Sequence, residues 1–344
     1  MKKLPLSVLT TAILLTSTPS AFAQSSPNLT FGESVQTLLD NLNPDVKPGQ
    51  NFDLSNWKIT LPMTEEEGSR KGKAAEIQKD KLSDYEHPEW FYTDKETGAM
   101  VFKAPNTAPT TPNSKNARSE LRAMLADHYG EPKNNFVVTS HPQAEEYGSI
   151  GGRLKATLAV DWVSTSGDHK KNGAFATVIG QIHGSKNEPL KIIYRKLPEH
   201  NLGSLSWNYE LNPPLEQQKS KLRKDIRHDV FGQHNLRQGD PEPLDGIALN
   251  EVFSYEVIVE GDMMTLNFVK SPGLDNEETK SVTIDLTAGQ YQGHEIDQGY
   301  GSDWMYFKAG SYNQCNTGSS GCAYGGPDSE DYAQVRFYEL VLDQ

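Results

Sequence analysis

Ser254-Tyr255-Glu256-Val257-Ile258-Val259-Glu260 and Met263-Met264-Thr265-Leu266-Asn267-Phe268-Val269-Lys270, joined by Gly261-Asp262, form the stretch whose reading decides the fold class. Apolar and polar residues alternate along both runs, which is the period of a half-buried strand. Glu260-Gly261-Asp262 between them is a hairpin turn. The same pattern recurs on both sides of this hairpin. Short runs with turn residues between them predict strands over 57–61, 100–104, 118–125, 152–163, 174–183, 190–194, 203–211, 281–285, 304–312 and 334–342. Helical periods are scarce, apart from Gly32 to Leu42. The expected fold is all-β: a single β-jelly roll sandwich over residues 51–344, with a lead-in segment at 24–50.

The chain begins differently. Lys2 and Lys3 precede an apolar run from Leu4 to Leu15, and Ala21-Phe22-Ala23 offers a cleavage pattern. Residues 1–23 are expected to be a signal peptide, because the apolar run is too short for a membrane anchor. The protein is then secreted or periplasmic. In such an oxidising compartment Cys315 and Cys322 could close a small loop as a disulfide. The formal net charge of the 344 residues is −13. That charge argues against nucleic acid and anionic membrane as partners, and a monomer is expected. An anionic ligand would need a local basic groove on this acidic body.

Residues 213–245 are polar and carry Lys219, Lys221, Arg223, Lys224 and Arg227. They are read either as a solvated loop or short surface helix, or as a basic flap over such a groove.

Three segments place polar side chains together. In Arg118-Ser119-Glu120-Leu121-Arg122, alternation turns Arg118, Glu120 and Arg122 to one face, where the carboxylate can orient guanidinium forks suited to another carboxylate. In Gln181-Ile182-His183 the amide and imidazole share a face, with Ile182 in the core. In Tyr306-Phe307-Lys308-Ala309-Gly310-Ser311-Tyr312-Asn313-Gln314 one face carries Tyr306, Lys308, Gly310, Tyr312 and Gln314, with Gly310 leaving room for a sugar ring. Each segment alone reads as well as an exposed strand. Together they suit removal of a proton beside a carboxylate: Arg118 and Gln181 neutralise the carboxylate, and His183 and Tyr312 move the protons. These side chains supply their own positive charge, so no metal and no cofactor is expected.

With Leu54-Ser55-Asn56-Trp57-Lys58-Ile59-Thr60-Leu61-Pro62 ahead of them, the three segments resemble, in order, the motifs of polysaccharide lyase family 7, the alginate lyases. The resemblance covers about Asn51 to Gln344. It implies a groove on the concave sheet of the jelly roll and endolytic cleavage of alginate by β-elimination. It implies a catalytic set of Arg118, Gln181, His183 and Tyr312, with Glu120, Arg122, Tyr306, Lys308 and Gln314 binding or orienting substrate. Ile182 between Gln181 and His183 implies a lean to guluronate-containing blocks. Three other readings stand beside it: a lyase for another polyuronate, a noncatalytic carbohydrate-binding sandwich, and a glycoside hydrolase. The last would need a spaced carboxylate pair, and no Glu-x-Asp-x-x-Glu run is present.

Overall fold

The computed structural model describes residues 32–66, 70–127, 132–212, 224–292, 294–295, 299–324 and 331–344. The expected signal peptide and residues 213–223, with most of the basic cluster, lie outside these. The strands in chain order are β1 (Trp57–Thr64), β2 (Ala74–Ile77), β3 (Phe91–Thr93), β4 (Met100–Pro105), β5 (Arg118–Ala123), β6 (Phe136–Val137), β7 (Ser149–Ile150), β8 (Gly152–Trp162), β9 (Ala176–His183) and β10 (Leu190–Arg195). Then come β11 (Leu202–Glu210), β12 (Asp225–Phe231), β13 (Ile247–Ala248), β14 (Val252–Glu260), β15 (Met263–Lys270), β16 (Glu278–Asp285), β17 (Gln290–Tyr291), β18 (His294–Glu295), β19 (Tyr306–Asn313) and β20 (Tyr332–Asp343).

Two antiparallel sheets face each other as a jelly-roll sandwich. One runs β12-β11-β10-β9-β19-β5-β1-β2, with β13 beside β11; the other runs β16-β15-β14-β8-β20-β4-β3. The opening hairpin is β14–β15, paired from Glu260↔Met263 to Phe253↔Lys270. Its inward residues Tyr255, Val257, Leu266 and Phe268 meet Ile59, Leu121, Ile182, Ile192 and Phe307 from the larger sheet in one core. Removing this apolar surface from water is the main force holding the sheets together. Tyr255 satisfies its buried hydroxyl by donating across the sandwich to the carbonyl of Ile179 at 3.1 Å. The lead-in helix α1 (Glu33–Asp40) places Val35 against Ala159 and Tyr338.

The outward faces differ. On the smaller sheet, charges close on one another: Arg153 with Glu256 and Asp343, and Lys155 with Glu339. The larger sheet carries the three segments singled out above. Its edge corrects the reading of 213–245, because Asp225–Phe231 is the strand β12, paired with β11 from Glu210↔Asp225 to Leu205↔Phe231. Charged Asp225, Arg227 and Asp229 on its outward side obscure the alternation, while His228 stacks on Trp207 at 4.1 Å. Cys315 and Cys322 are bonded, as their spacing allows, and pack with Phe175 and Leu197.

Candidate active site

Strand β19 lies between β9 and β5, and its register brings the three segments side by side. Lys308 is opposite Arg122 on one flank and Gln181 on the other, Tyr312 is opposite Arg118, and Tyr306 is opposite His183. Neighbouring strands lie about 4.8 Å apart, so side chains from these rungs touch.

Glu120 is the hub. It is 2 % exposed. Its carboxylate accepts from Arg118 Nη1 at 2.8 Å, from Lys308 Nζ and from Gln181 Nε2. Burial alone would raise its pKa, but Lys308 and Arg118 overcome that and hold it below the usual carboxylate range. Glu120 therefore stays ionised and fixes three donors in place. Sequence reasoning left it open whether Glu120 binds or orients; at this depth it orients. Burial, with Arg118 adding to it, lowers Lys308 to about 8 against the pull of Glu120.

Arg118 continues from Glu120 to Tyr312. Its guanidinium lies 3.7 Å over the Tyr312 ring. Ser114 Oγ is 3.0 Å from the Tyr312 hydroxyl and accepts from Arg118 Nη2 at 3.1 Å. Beneath the ring, Ala176, Val178 and Ile193 form a small apolar floor on the outward face.

His183 stacks on Tyr306 with ring centres 5.1 Å apart. Its Nδ1 meets the carbonyl of Gly184, which only accepts, so Nδ1 carries the proton and Nε2 keeps its lone pair. Burial, then the charges of Lys308 and Arg118, lower the imidazole to about 4. It is a neutral base near pH 7. Nε2 faces Glu188 Oε1 at 3.3 Å, and Lys191 in turn lies 3.4 Å from Glu188 Oε2. A proton gained at Nε2 would meet a carboxylate placed to stabilise it.

The remaining expected residues take more limited parts. Arg122 lies 4.0 Å over the Tyr306 ring and donates to Asn135 Oδ1 at 3.1 Å. Gln314 donates to the carbonyl of Tyr312 at 3.1 Å. Gly310 needs a different explanation from room for a sugar. A Cβ there would come 2.6 Å from the carbonyl oxygen of Ser119, and its φ is +139°. The glycine thus permits close approach of β5 to the bulge in β19. Ser114, Glu188 and Lys191 were missed. Ser114 sits in a loop with no period to read, and Glu188 lies on the turn between β9 and β10. The Lys191–Gln181 rung could have been found only by pairing those strands in register.

A carboxylate-matching donor set, a neutral imidazole and a fixed phenol thus share one face of a β-sandwich. The family model for alginate lyase matches residues 52–344. An alginate lyase of Klebsiella pneumoniae is 34% identical over 302 residues, covering 85% of this chain and 90% of that protein. The crystal structure of an alginate lyase from Klebsiella pneumoniae matches with a TM-score of 0.69 and 32% identity, over 86% of this chain and 98% of that one. An exolytic family 7 alginate lyase from Zobellia galactanivorans matches with a TM-score of 0.68 and 30% identity, over 86% and 97% of the two chains. The fold and site define a polysaccharide lyase built on a β-jelly roll. The chain belongs to polysaccharide lyase family 7, the alginate lyases.

Proposed function

We propose that this lyase opens alginate chains internally, with a lean to guluronate-containing blocks, after export and loss of residues 1–23. The single observation that carries the chemistry is the cluster around Glu120. It holds Arg118, Lys308 and Gln181 ready for a uronate carboxylate beside a neutral His183 and the Tyr312 hydroxyl. Neutralising that carboxylate lets negative charge develop as the C5 proton leaves. The C5–H electron pair becomes the C4=C5 bond, the C4–O4 bond breaks, and O4 takes a proton. Tyr312 gives that proton. His183 takes the C5 proton where its ring reaches it; on the other epimer Tyr312 enters as the phenolate, takes the C5 proton and hands that same proton to O4 from one face.

Internal cleavage is the mode the motif resemblance implies, and an exolytic relative of the same fold makes product sizing the deciding measurement. The reacting strands β9, β19 and β5 are flanked by β10, β11 and β12 on one side and by β1 and β2 on the other. Sugars can therefore lie on both sides of the bond. The guluronate lean rests on Ile182, which is in the core and acts only by seating its neighbours. An ultraviolet assay on polymannuronate, polyguluronate and mixed-block alginate, with product sizing, tests these points together. Internal cutting gives a spread of unsaturated oligomers early, whereas end-on cutting gives one small product from the start. Absorbance from another polyuronate but not from alginate would move the substrate elsewhere. Export is tested by expressing the full chain and finding whether the extracellular or periplasmic protein begins at Gln24.

A further inference from the structure

Tyr312 can act on a sugar only if its own proton is not spent inside the protein. Among the described residues, its hydroxyl has one hydrogen-bond neighbour, Ser114 Oγ at 3.0 Å. Which of the two oxygens gives the proton decides what the phenol can do.

A serine oxygen has two acceptor positions and one proton. Arg118 Nη2 donates to Ser114 Oγ at 3.1 Å, and the backbone N–H of Asn116 donates to it at 3.1 Å. Both nitrogens can only donate, so both acceptor positions are filled. None is left for the proton of Tyr312. The proton of Ser114 has two places to go, Tyr312 Oη at 3.0 Å and the carbonyl of Asn116 at 3.2 Å, and the phenol is the nearer. The loop holds the hydroxyl in place. Ser114 N–H donates to the carbonyl of Thr111 at 3.0 Å, and Thr110 Oγ1 donates to the carbonyl of Ser114 at 2.9 Å. Asn316, inside the loop closed by Cys315 and Cys322, donates to Asn116 Oδ1. The charged groups against the phenol are Arg118 from β5, over the ring, and Lys308 of its own strand, 5.7 Å from the ring centre. Strands β9 and β10 pack apolar Ala176, Val178 and Ile193 beneath it.

We propose that Ser114 is a positioning residue that donates its hydroxyl proton to Tyr312 Oη, so that Tyr312 turns its own proton to the substrate and is supported as the phenolate. This rests on the polyuronate lyase reading above. A hydrogen bond to an oxygen strengthens when that oxygen is charged, so Ser114 favours the phenolate over the phenol. On the epimer that His183 does not reach, the phenolate takes the C5 proton and the C5–H pair becomes the C4=C5 bond. The same proton passes to O4 as C4–O4 breaks, which returns the phenolate. On the other epimer the contact eases transfer of the phenol proton to O4.

Ser114→Ala removes the donor and Ser114→Thr keeps one. Rates are read against pH on the block type that His183→Ala still cleaves, where the limb is not that of the imidazole. There kcat of Ser114→Ala should be about three- to tenfold lower near neutral pH, with KM within about twofold, and the rising limb should move up by about half to one pH unit. The loss should close as pH rises. Ser114→Thr should restore both rate and limb. A loss that is constant with pH, or one carried mainly by KM, would make Ser114 an anchor for Arg118 alone and overturn the proposal, as would unchanged kinetics. If His183→Ala cleaved no block type, no phenolate base would be at work and the proposal would fall as well. Failure of the parent enzyme to generate ultraviolet absorbance from any polyuronate would instead overturn the lyase reading itself.

Discussion

The phenol of Tyr312 is held from two directions: Arg118 covers its ring and Ser114 meets its hydroxyl. Tyr312→Phe keeps the ring and its packing while removing the proton. We expect kcat to fall by at least about a hundredfold, with KM little changed. Near-normal turnover on every block type would mean that another group protonates O4. His183 sets the acid limit. Free imidazole titrates near 6.5, whereas His183 is lowered to about 4 by burial and by Lys308 and Arg118. Its neutral form therefore persists well below 6.5 and is lost only as pH falls through about 4. The profile of kcat/KM should stay level to about pH 5 and then fall on a limb near the lowered value. A limb near 6.5 would show that the base is not this buried ring. The same shift weakens the fold in acid: between 6.5 and about 4 the unfolded chain binds a proton that the folded chain does not. At this scale the sequence was informative about strand residues, because period two separates Gln181 and His183 from Ile182. Ser114 acts from a loop, where no period exists.

Strands β5, β9 and β19 were legible because their polar sides contrast with buried Leu121, Ile182 and Phe307. Strand β12 was not, since charges on its outward side made it resemble a loop. Register was also out of reach: nothing local says that Lys308 stands between Arg122 and Gln181. Gly310 shows how the strands depend on one another. Gly310→Ala would force a Cβ against the carbonyl of Ser119 at a φ that suits glycine. We expect a loss of about 1–3 kcal/mol, read as a lower Tm. Because β5 and β19 carry Arg118 and Tyr312, kcat should fall as well. A variant with the parent's Tm and kcat would show that the bulge relaxes freely.

The molecule as a whole is acidic, with a net charge of −13, yet its site gathers Arg118, Arg122 and Lys308. Attraction for a polyanion is therefore local. Salt shortens the reach of exposed charges from about 10 Å at 0.1 M to about 3 Å at 1 M. KM for alginate should rise across that range. A KM that stays flat or falls would assign binding to stacking and neutral hydrogen bonds. The sandwich and its charge were legible from composition and alternation. Which outward face would be the site was not, because both faces are polar and both pair their charges; the larger sheet's face differs in gathering Arg118, Lys308 and Gln181 around buried Glu120 beside His183.

The position of the last two long strands governs the order in which this chain can mature. Strand β19 is inserted between β9 and β5, and β20 between β8 and β4. Each closes the middle of a sheet by joining segments far apart in sequence. The β14–β15–β16 meander is local and can form early; the central insertions bear the largest loop-closure cost and come slowly. A chain that has not yet placed β19 has Arg118 and His183 on separate pieces, with Tyr312 on neither. It can hold secondary structure and even some core while being unable to cut a polymer. During refolding, recovery of lyase activity should therefore lag behind recovery of the β-sheet circular dichroism, because catalysis depends on the final closure of the sheet.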